Sequence, residues 1–173
     1  RRKNLLLRDL DELVNQQLAK MLFANPQRID YYDRYQEIID AYNAEQNRAT
    51  IEKTFMDLME LASSLDTEQQ RYVREGFSSD EELSVYDLLF SEKLTKQEIE
   101  TIKKVSVDLL TKIKQQIAKL DHWTDKQETK AIVDNLIRNT LWQELPNSYD
   151  VSDIQTYQKK IYEYVYMRYP EVA

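Results

Sequence analysis

Apolar residues recur at three- and four-residue spacing along almost the whole chain, the signature of helices with one buried stripe. Leu6, Leu10, Leu13, Val14, Leu18, Met21 and Leu22 predict a long helix over 2–24. Asn25-Pro26 then stops it and restarts another, with Asn25 as cap and Pro26 at the first helical position, where a missing N–H costs nothing. The second helix carries Ile29, Tyr32, Tyr35, Ile38, Ile39 and Tyr42 to about Asn43. Thr50 is the expected cap of a third, through Ile51, Phe55, Leu58, Met59, Ala62 and Leu65. Thr67 with Gln70 reads as a capping box for a short fourth, ended by Gly76 in the left-handed conformation.

The second half repeats the pattern. Ser78 with Glu81, or Ser79 with Glu82, opens a fifth helix with Leu83, Tyr86 and Leu89 or Phe90 inward. Thr95 with Glu98 opens the longest, about 96–120, along Ile99, Ile102, Val105, Leu109, Ile113 and Ile117. Thr124 is expected to start a seventh, through Val133, Leu136, Ile137, Thr140 and Leu141 to Pro146. Ser152 is expected to start an eighth, through Ile154, Tyr157, Ile161 and Val165 to Pro170. Brief strand-like alternations at Tyr162-Tyr164-Tyr166 and Val105-Val107 lose to the flanking caps. The prediction is all-α, a single irregular bundle of seven to eight helices forming one domain over 1–173. No 34-residue repeat of small residues marks a solenoid.

Composition narrows the chemistry. One glycine in 173 residues excludes Gly-rich phosphate loops, and the lack of cysteine excludes disulfide scaffolds, thiolate metal sites and cysteine nucleophiles. One histidine makes a His-based zinc site improbable. No apolar run approaches the roughly 20 residues of a membrane span. The leucines after Arg1-Arg2-Lys3 are cut short by Arg8 and Asp9, too soon for a signal peptide. With no initiator Met, the chain is expected to be a fragment of a longer protein.

Charge is uneven. Residues 30–90 hold fifteen Asp/Glu and five Lys/Arg, whereas residues 93–130 hold nine Lys and six Asp/Glu. The acidic half disfavours nucleic acid as main partner, since phosphate binding needs a basic surface. Lys103, Lys104, Lys112, Lys114 and Lys119 on the long helix are the candidate DNA contacts, weighed against a solvated helix face. Carboxylates at Asp80-Glu81-Glu82 read as helix-start acids, and Asp121 and Asp125 lack the Glu-x-x-His motifs of a di-metal bundle. His122 is expected to serve a turn. No catalytic, cofactor or metal residue is predicted. Twelve tyrosines exceed what a core needs. Tyr162, Tyr166 and Tyr169 share one helix face and Tyr164 lies nearly opposite, so some of the four must face solvent or a partner. Tyr164 is expected to point away from the buried stripe.

Glu82-Leu83-Ser84-Val85-Tyr86-Asp87-Leu88-Leu89 resembles the E-L-A-F-Y-D-A-L signature in the C-terminal helical region of the R (motor and nuclease) subunit of type I restriction enzymes. Glu82, Leu83, Tyr86 and Asp87 carry the match. The helix at Tyr35–Asn43, the helix at Phe55–Leu61 and Asp121-His122-Trp123 follow in a similar order over residues 30–145. The family's adjacent Asp-Trp is split here by His122, and its basic helix end is replaced by Trp142-Gln143-Glu144-Leu145-Pro146. The resemblance implies a non-catalytic assembly module that docks the translocase and nuclease onto the methyltransferase core of modification and specificity subunits. It implies that ATP, Mg²⁺ and site-specific deoxyribonuclease activity belong to the parent chain, which meets DNA as a complex in the bacterial or archaeal cytoplasm. Two alternatives stay open: a DNA-guiding domain of the same motor, and an unrelated helical interaction adaptor.

Overall fold

The structure, a computed structural model, describes residues 2–171. Every regular element among them is helical, and they divide at Gly76 into two compact units, 1–76 and 77–173. The sequence predicts no boundary there. Gly76 is the expected left-handed helix stop, with φ +85°.

Unit 1 contains α1 (Arg2–Ala24), a 3₁₀ turn (Pro26–Arg28), α2 (Ile29–Ala44), α3 (Arg48–Gln69) and the short α4 (Arg71–Arg74). The Asn25 side chain accepts from the Gln27 N–H at 3.1 Å, as its cap role requires. The third helix starts earlier than expected. Asn47, in extended backbone, accepts from the Thr50 N–H at 2.9 Å and from the Thr50 hydroxyl at 3.1 Å. Asn at this position satisfies an orphan donor better than Thr50, which becomes a first-turn residue. Thr67 caps nothing; it lies inside α3 and its hydroxyl donates to the Ser63 carbonyl at 3.1 Å.

α3 is the central helix of the unit, packing on both α1 and α2. Leu7, Val14, Leu18 and Met21 of α1 meet Tyr35 of α2 and Leu58, Leu61 and Leu65 of α3. The α1 stripe is therefore rotated from the expected one. Leu7 is buried, whereas Leu6 and Leu13 are 53% and 63% exposed.

Unit 2 contains α5 (Asp80–Leu89), α6 (Lys96–Ala118), a 3₁₀ turn (Trp123–Asp125), α7 (Gln127–Glu144) and α8 (Val151–Arg168). Each helix packs on the next and α8 packs on α5, closing the four into a ring around Leu83, Leu89, Leu109, Ile113, Ile137 and Ile161. The Thr95–Glu98 capping box of α6 forms in both directions, with the Glu98 N–H at 3.2 Å from the Thr95 hydroxyl. Two expected starts move. Thr124 falls in the 3₁₀ turn and α7 begins at Gln127, while α8 is capped by Asp150, which forms a capping box with Asp153. Asp150 outcompetes Ser152 because its carboxylate accepts from the Asp153 N–H at 2.8 Å and complements the helix dipole.

Candidate interaction site

The signature octad forms most of α5, and its residues take local roles. Ser79 is the cap, accepting from the Glu82 N–H at 3.2 Å, while the Glu82 carboxylate accepts from the Ser78 N–H at 2.8 Å. Leu83 is fully buried. The Tyr86 ring is buried with its centroid 5.4 Å from Phe77 and 5.9 Å from Phe90, and the Lys103 ammonium lies 5.9 Å from it. Asp87 is half-buried. Four residues thus set the start and the inward face of one helix of the ring. Replacing Ser79 with alanine should cost about 1 kcal/mol, because it frees a first-turn N–H. Urea denaturation followed by circular dichroism checks this.

The C-terminal tyrosines separate into two groups. Tyr162 and Tyr166 stand edge-on against the buried Trp123, with centroids at 6.0 and 5.8 Å. Tyr166 is 39% exposed and Tyr162 half-buried. Tyr164, expected to point outward, is instead only 3% exposed. It stands about 20° around the helix from Tyr157, on the side of α8 that packs on α7 and α5. The Tyr164 hydroxyl hydrogen-bonds Ser84, and the Arg168 guanidinium sits 4.5 Å from its ring centroid. Burial pushes the Tyr164 hydroxyl above its ordinary pKa.

Tyr169 does not continue the Tyr162–Tyr166 face. It follows the last helical residue, its backbone leaves helical angles, and its ring meets Tyr164 at 6.1 Å. Its carbonyl accepts from the Trp123 indole N–H at 2.7 Å, and its hydroxyl donates to Glu81 at 2.8 Å. Lys114 completes the cluster, 2.5 Å from the same Glu81 oxygen and 5.5 Å from the Tyr169 ring centroid. Burial pushes the Glu81 carboxyl up, but the hydrogen bonds from Lys114 and Tyr169 outweigh it and hold the group below its ordinary value. Burial likewise drives the Tyr169 hydroxyl upward, reinforced by Tyr164 and Glu81. Of the four tyrosines expected as partner contacts, Tyr166 is exposed, Tyr162 and Tyr169 are half-buried and Tyr164 is buried.

The five lysines do not form one stripe either. Lys103 and Lys114 lie on one side of α6, Lys104, Lys112 and Lys119 on another. Lys114 is held by Glu81, Lys112 lies 3.0 Å from Asp108 and 3.2 Å from Glu144, and Lys103 lies 4.0 Å from Glu100. The hydrogen bonds that Lys112 donates to Asp108 and Glu144 raise its pKa and keep it charged. Lys104 and Lys119 are exposed. The remaining candidate, His122, takes a left-handed backbone with φ 47° at the entry to the 3₁₀ turn. Its Nε2 is 3.4 Å from Asp121 and its Nδ1 3.9 Å from Glu171. Among the described residues no three His, Cys, Asp or Glu are grouped to hold a metal ion, and no helix is long and apolar enough to cross a membrane.

One surface lies outside these expectations. On unit 1, Leu6 of α1 and Ile51, Phe55 and Met56 of α3 line a groove of about 610 Å³, with Ala49, Glu52 and Lys53 along it. Met56 and Met59 are 69% and 52% exposed. The signal was present in the apolar arc of α1: Leu5, Leu6, Leu7, Leu10, Leu13, Val14 and Leu18 are more than one helix face holds.

These features define an all-α module of two helical units. The chain belongs to the family described as type I restriction enzyme HindI endonuclease subunit-like, C-terminal, whose model matches residues 1–169. It is therefore a C-terminal domain of a type I restriction endonuclease subunit, an enzyme class built as a multisubunit complex. No curated protein and no solved structure matches it.

Proposed function

We propose that this domain docks the motor and nuclease parts of its subunit onto the methyltransferase core of modification and specificity subunits. The observation that carries the reading is the surface balance. Three of the five α6 lysines are within ion-pair distance of carboxylates, while large apolar side chains stand exposed at Leu6, Leu13, Met56, Met59 and Trp142. Exposed apolar and aromatic groups favour protein partners, whereas duplex binding needs unneutralised positive charge. In this reading the domain itself performs no catalysis, and ATP, Mg²⁺ and DNA cleavage belong to the rest of the subunit. The complex is cytoplasmic.

The test is co-purification of the subunit with its cognate methyltransferase core, repeated with duplex DNA as competitor. The subunit lacking this domain should fail to co-purify, and duplex should not displace the intact one. Failure of the intact subunit to bind the core, with tight duplex binding that weakens steeply with salt, would make the domain a DNA guide acting through Lys104 and Lys119.

A further inference from the structure

The three long helices of unit 1 leave a pocket of about 230 Å³ at the end where α1 and α3 begin and α2 finishes. Each helix adds one aliphatic side chain to its floor, the buried Leu7 and Leu58 and the half-buried Ile39. Its polar lining is Asn4, Arg8 and Asp11 of α1, Tyr42 of α2 and Thr54 of α3. Thr54 breaks the pattern of the buried hydroxyls. Ser84, Ser106 and Thr140, the other buried Ser and Thr, each donate to the carbonyl four residues back, at 3.0, 2.7 and 2.8 Å. Thr54 is only 3% exposed, yet its hydroxyl has no hydrogen-bond partner among the described residues. Every fully enclosed side-chain nitrogen or oxygen among them has one, so this hydroxyl is not enclosed. It opens on the pocket that Thr54 lines.

The charged lining holds one group of each sign. Arg8 and Asp11 are three residues apart on one face of α1, close enough to pair. Arg8 nevertheless joins no ion pair among the described residues, and Asp11 accepts a hydrogen bond only from the buried Tyr35 hydroxyl, at 2.5 Å. That bond fixes one carboxylate oxygen and leaves the other unbonded. A ligand of single charge would meet a like charge at either Arg8 or Asp11. A zwitterion satisfies both, its carboxylate taken by Arg8 and its ammonium by Asp11 and the Thr54 hydroxyl. The cavity is smaller than the roughly 300–1,000 Å³ of pockets for drug-sized ligands, and its aliphatic floor suits a small apolar side chain.

We propose that the pocket between α1, α2 and α3 binds a free apolar α-amino acid, with Arg8 on its carboxylate, Asp11 and Thr54 on its ammonium, and Leu7, Ile39 and Leu58 against its side chain. The site does not depend on the docking reading above.

The test offers L-leucine and L-isoleucine to the full-length endonuclease subunit in equilibrium dialysis. Saturable binding is expected. It should be at least about tenfold weaker for leucinamide, which lacks the carboxylate, and for isocaproate, which lacks the ammonium, since each loses hydrogen bonds to a charged group. Arg8→Gln should erase the preference over leucinamide, and Asp11→Asn the preference over isocaproate. Thr54→Val keeps the side-chain shape without the hydroxyl and should weaken L-leucine by about threefold or more. Arg8 is exposed, and the Asp11→Asn variant keeps an oxygen for Tyr35, so circular dichroism and the thermal midpoint should hardly move. A diazirine analogue of leucine should cross-link to the peptides that hold Leu7 or Leu58. Failure of the unmodified subunit to bind either amino acid would overturn the site. So would binding that all three variants retain unchanged, or cross-linking confined to other parts of the subunit.

Discussion

Replacing Glu68 with alanine should destabilise the first helical unit by about 3–5 kcal/mol, the cost of leaving a buried charge without its partner. Glu68 and Arg28 are 5% and 3% exposed, and the Arg28 guanidinium donates to the carboxylate at 2.8 Å. Arg71 donates to the same carboxylate at 2.8 and 3.2 Å. The cluster ties the turn after α1 to the end of α3, so its loss loosens two junctions at once. Replacing Arg28 and Glu68 together with Met and Leu should cost much less, because the fully buried charge leaves with its partner and Arg71, 27% exposed, keeps access to solvent. Burial raises the Glu68 carboxyl, but the hydrogen bonds and charges of Arg71 and Arg28 outweigh it and leave its pKa below the ordinary value. A carboxyl depressed on folding stabilises above its unfolded pKa of about 4.3, and that contribution fades as pH falls through the lower folded value. Hydrogen exchange of α1 and α3 amides at neutral and acid pH checks both statements. Equal protection in the unmodified chain and the alanine variant at neutral pH would contradict them.

Trp123→Ala should cost the second unit about 3–5 kcal/mol, the range for emptying a large aromatic site. The indole is fully buried, is flanked edge-on by Tyr162 and Tyr166, and donates to the Tyr169 carbonyl. Trp123→Phe separates the two contributions. It keeps an aromatic edge for both tyrosines but strands the carbonyl, with an expected cost of about 1–3 kcal/mol. Urea midpoints by circular dichroism measure the series, and Trp142 remains as a fluorophore in both variants. A smaller loss for alanine than for phenylalanine would mean that the site collapses around the cavity.

Local signals carried the reading where one residue had no rival. Thr95 with Glu98 was legible because no other cap-competent residue adjoins it in the right register. Asn47 against Thr50, and Asp150 against Ser152, were not, since each pair offers two caps within three residues and the packing of the whole helix selects one. Thr67 misled for the same reason: a capping pattern inside a strong apolar stripe is absorbed as an interior turn. The tyrosines failed differently. Tyr164 follows Tyr157 by seven residues and Ile161 by three, within about 20° and 60° of them around the helix, so it belongs to the stripe; the expectation of an outward Tyr164 weighs it against Tyr162 and Tyr166 alone. Among the lysines, Asp108 four residues before Lys112 was visible in the chain; Glu144 and Glu81 reach their lysines from other helices, which sequence spacing does not encode. The family signature was readable because it coincides with a cap and an inward face, both local.

The closing bonds of the second unit join residues far apart in the chain. Lys93 meets Asp153 at 3.1 Å, Tyr149 donates to the Leu89 carbonyl, and Tyr169 reaches back 88 residues to Glu81. On a translating ribosome α5 and α6 therefore emerge with their inner faces uncovered and must wait for α8. At typical elongation rates of 5–20 residues per second, 88 residues take roughly 4 to 18 seconds to synthesise. For that interval Leu83, Leu89 and Ile113 are open to chaperones and proteases, whereas Leu7, Leu58 and Leu65 of the first unit close as soon as α3 is complete. Slow codons between the segments encoding α6 and α8 lengthen that interval and should lower the subunit's abundance without altering a single side chain.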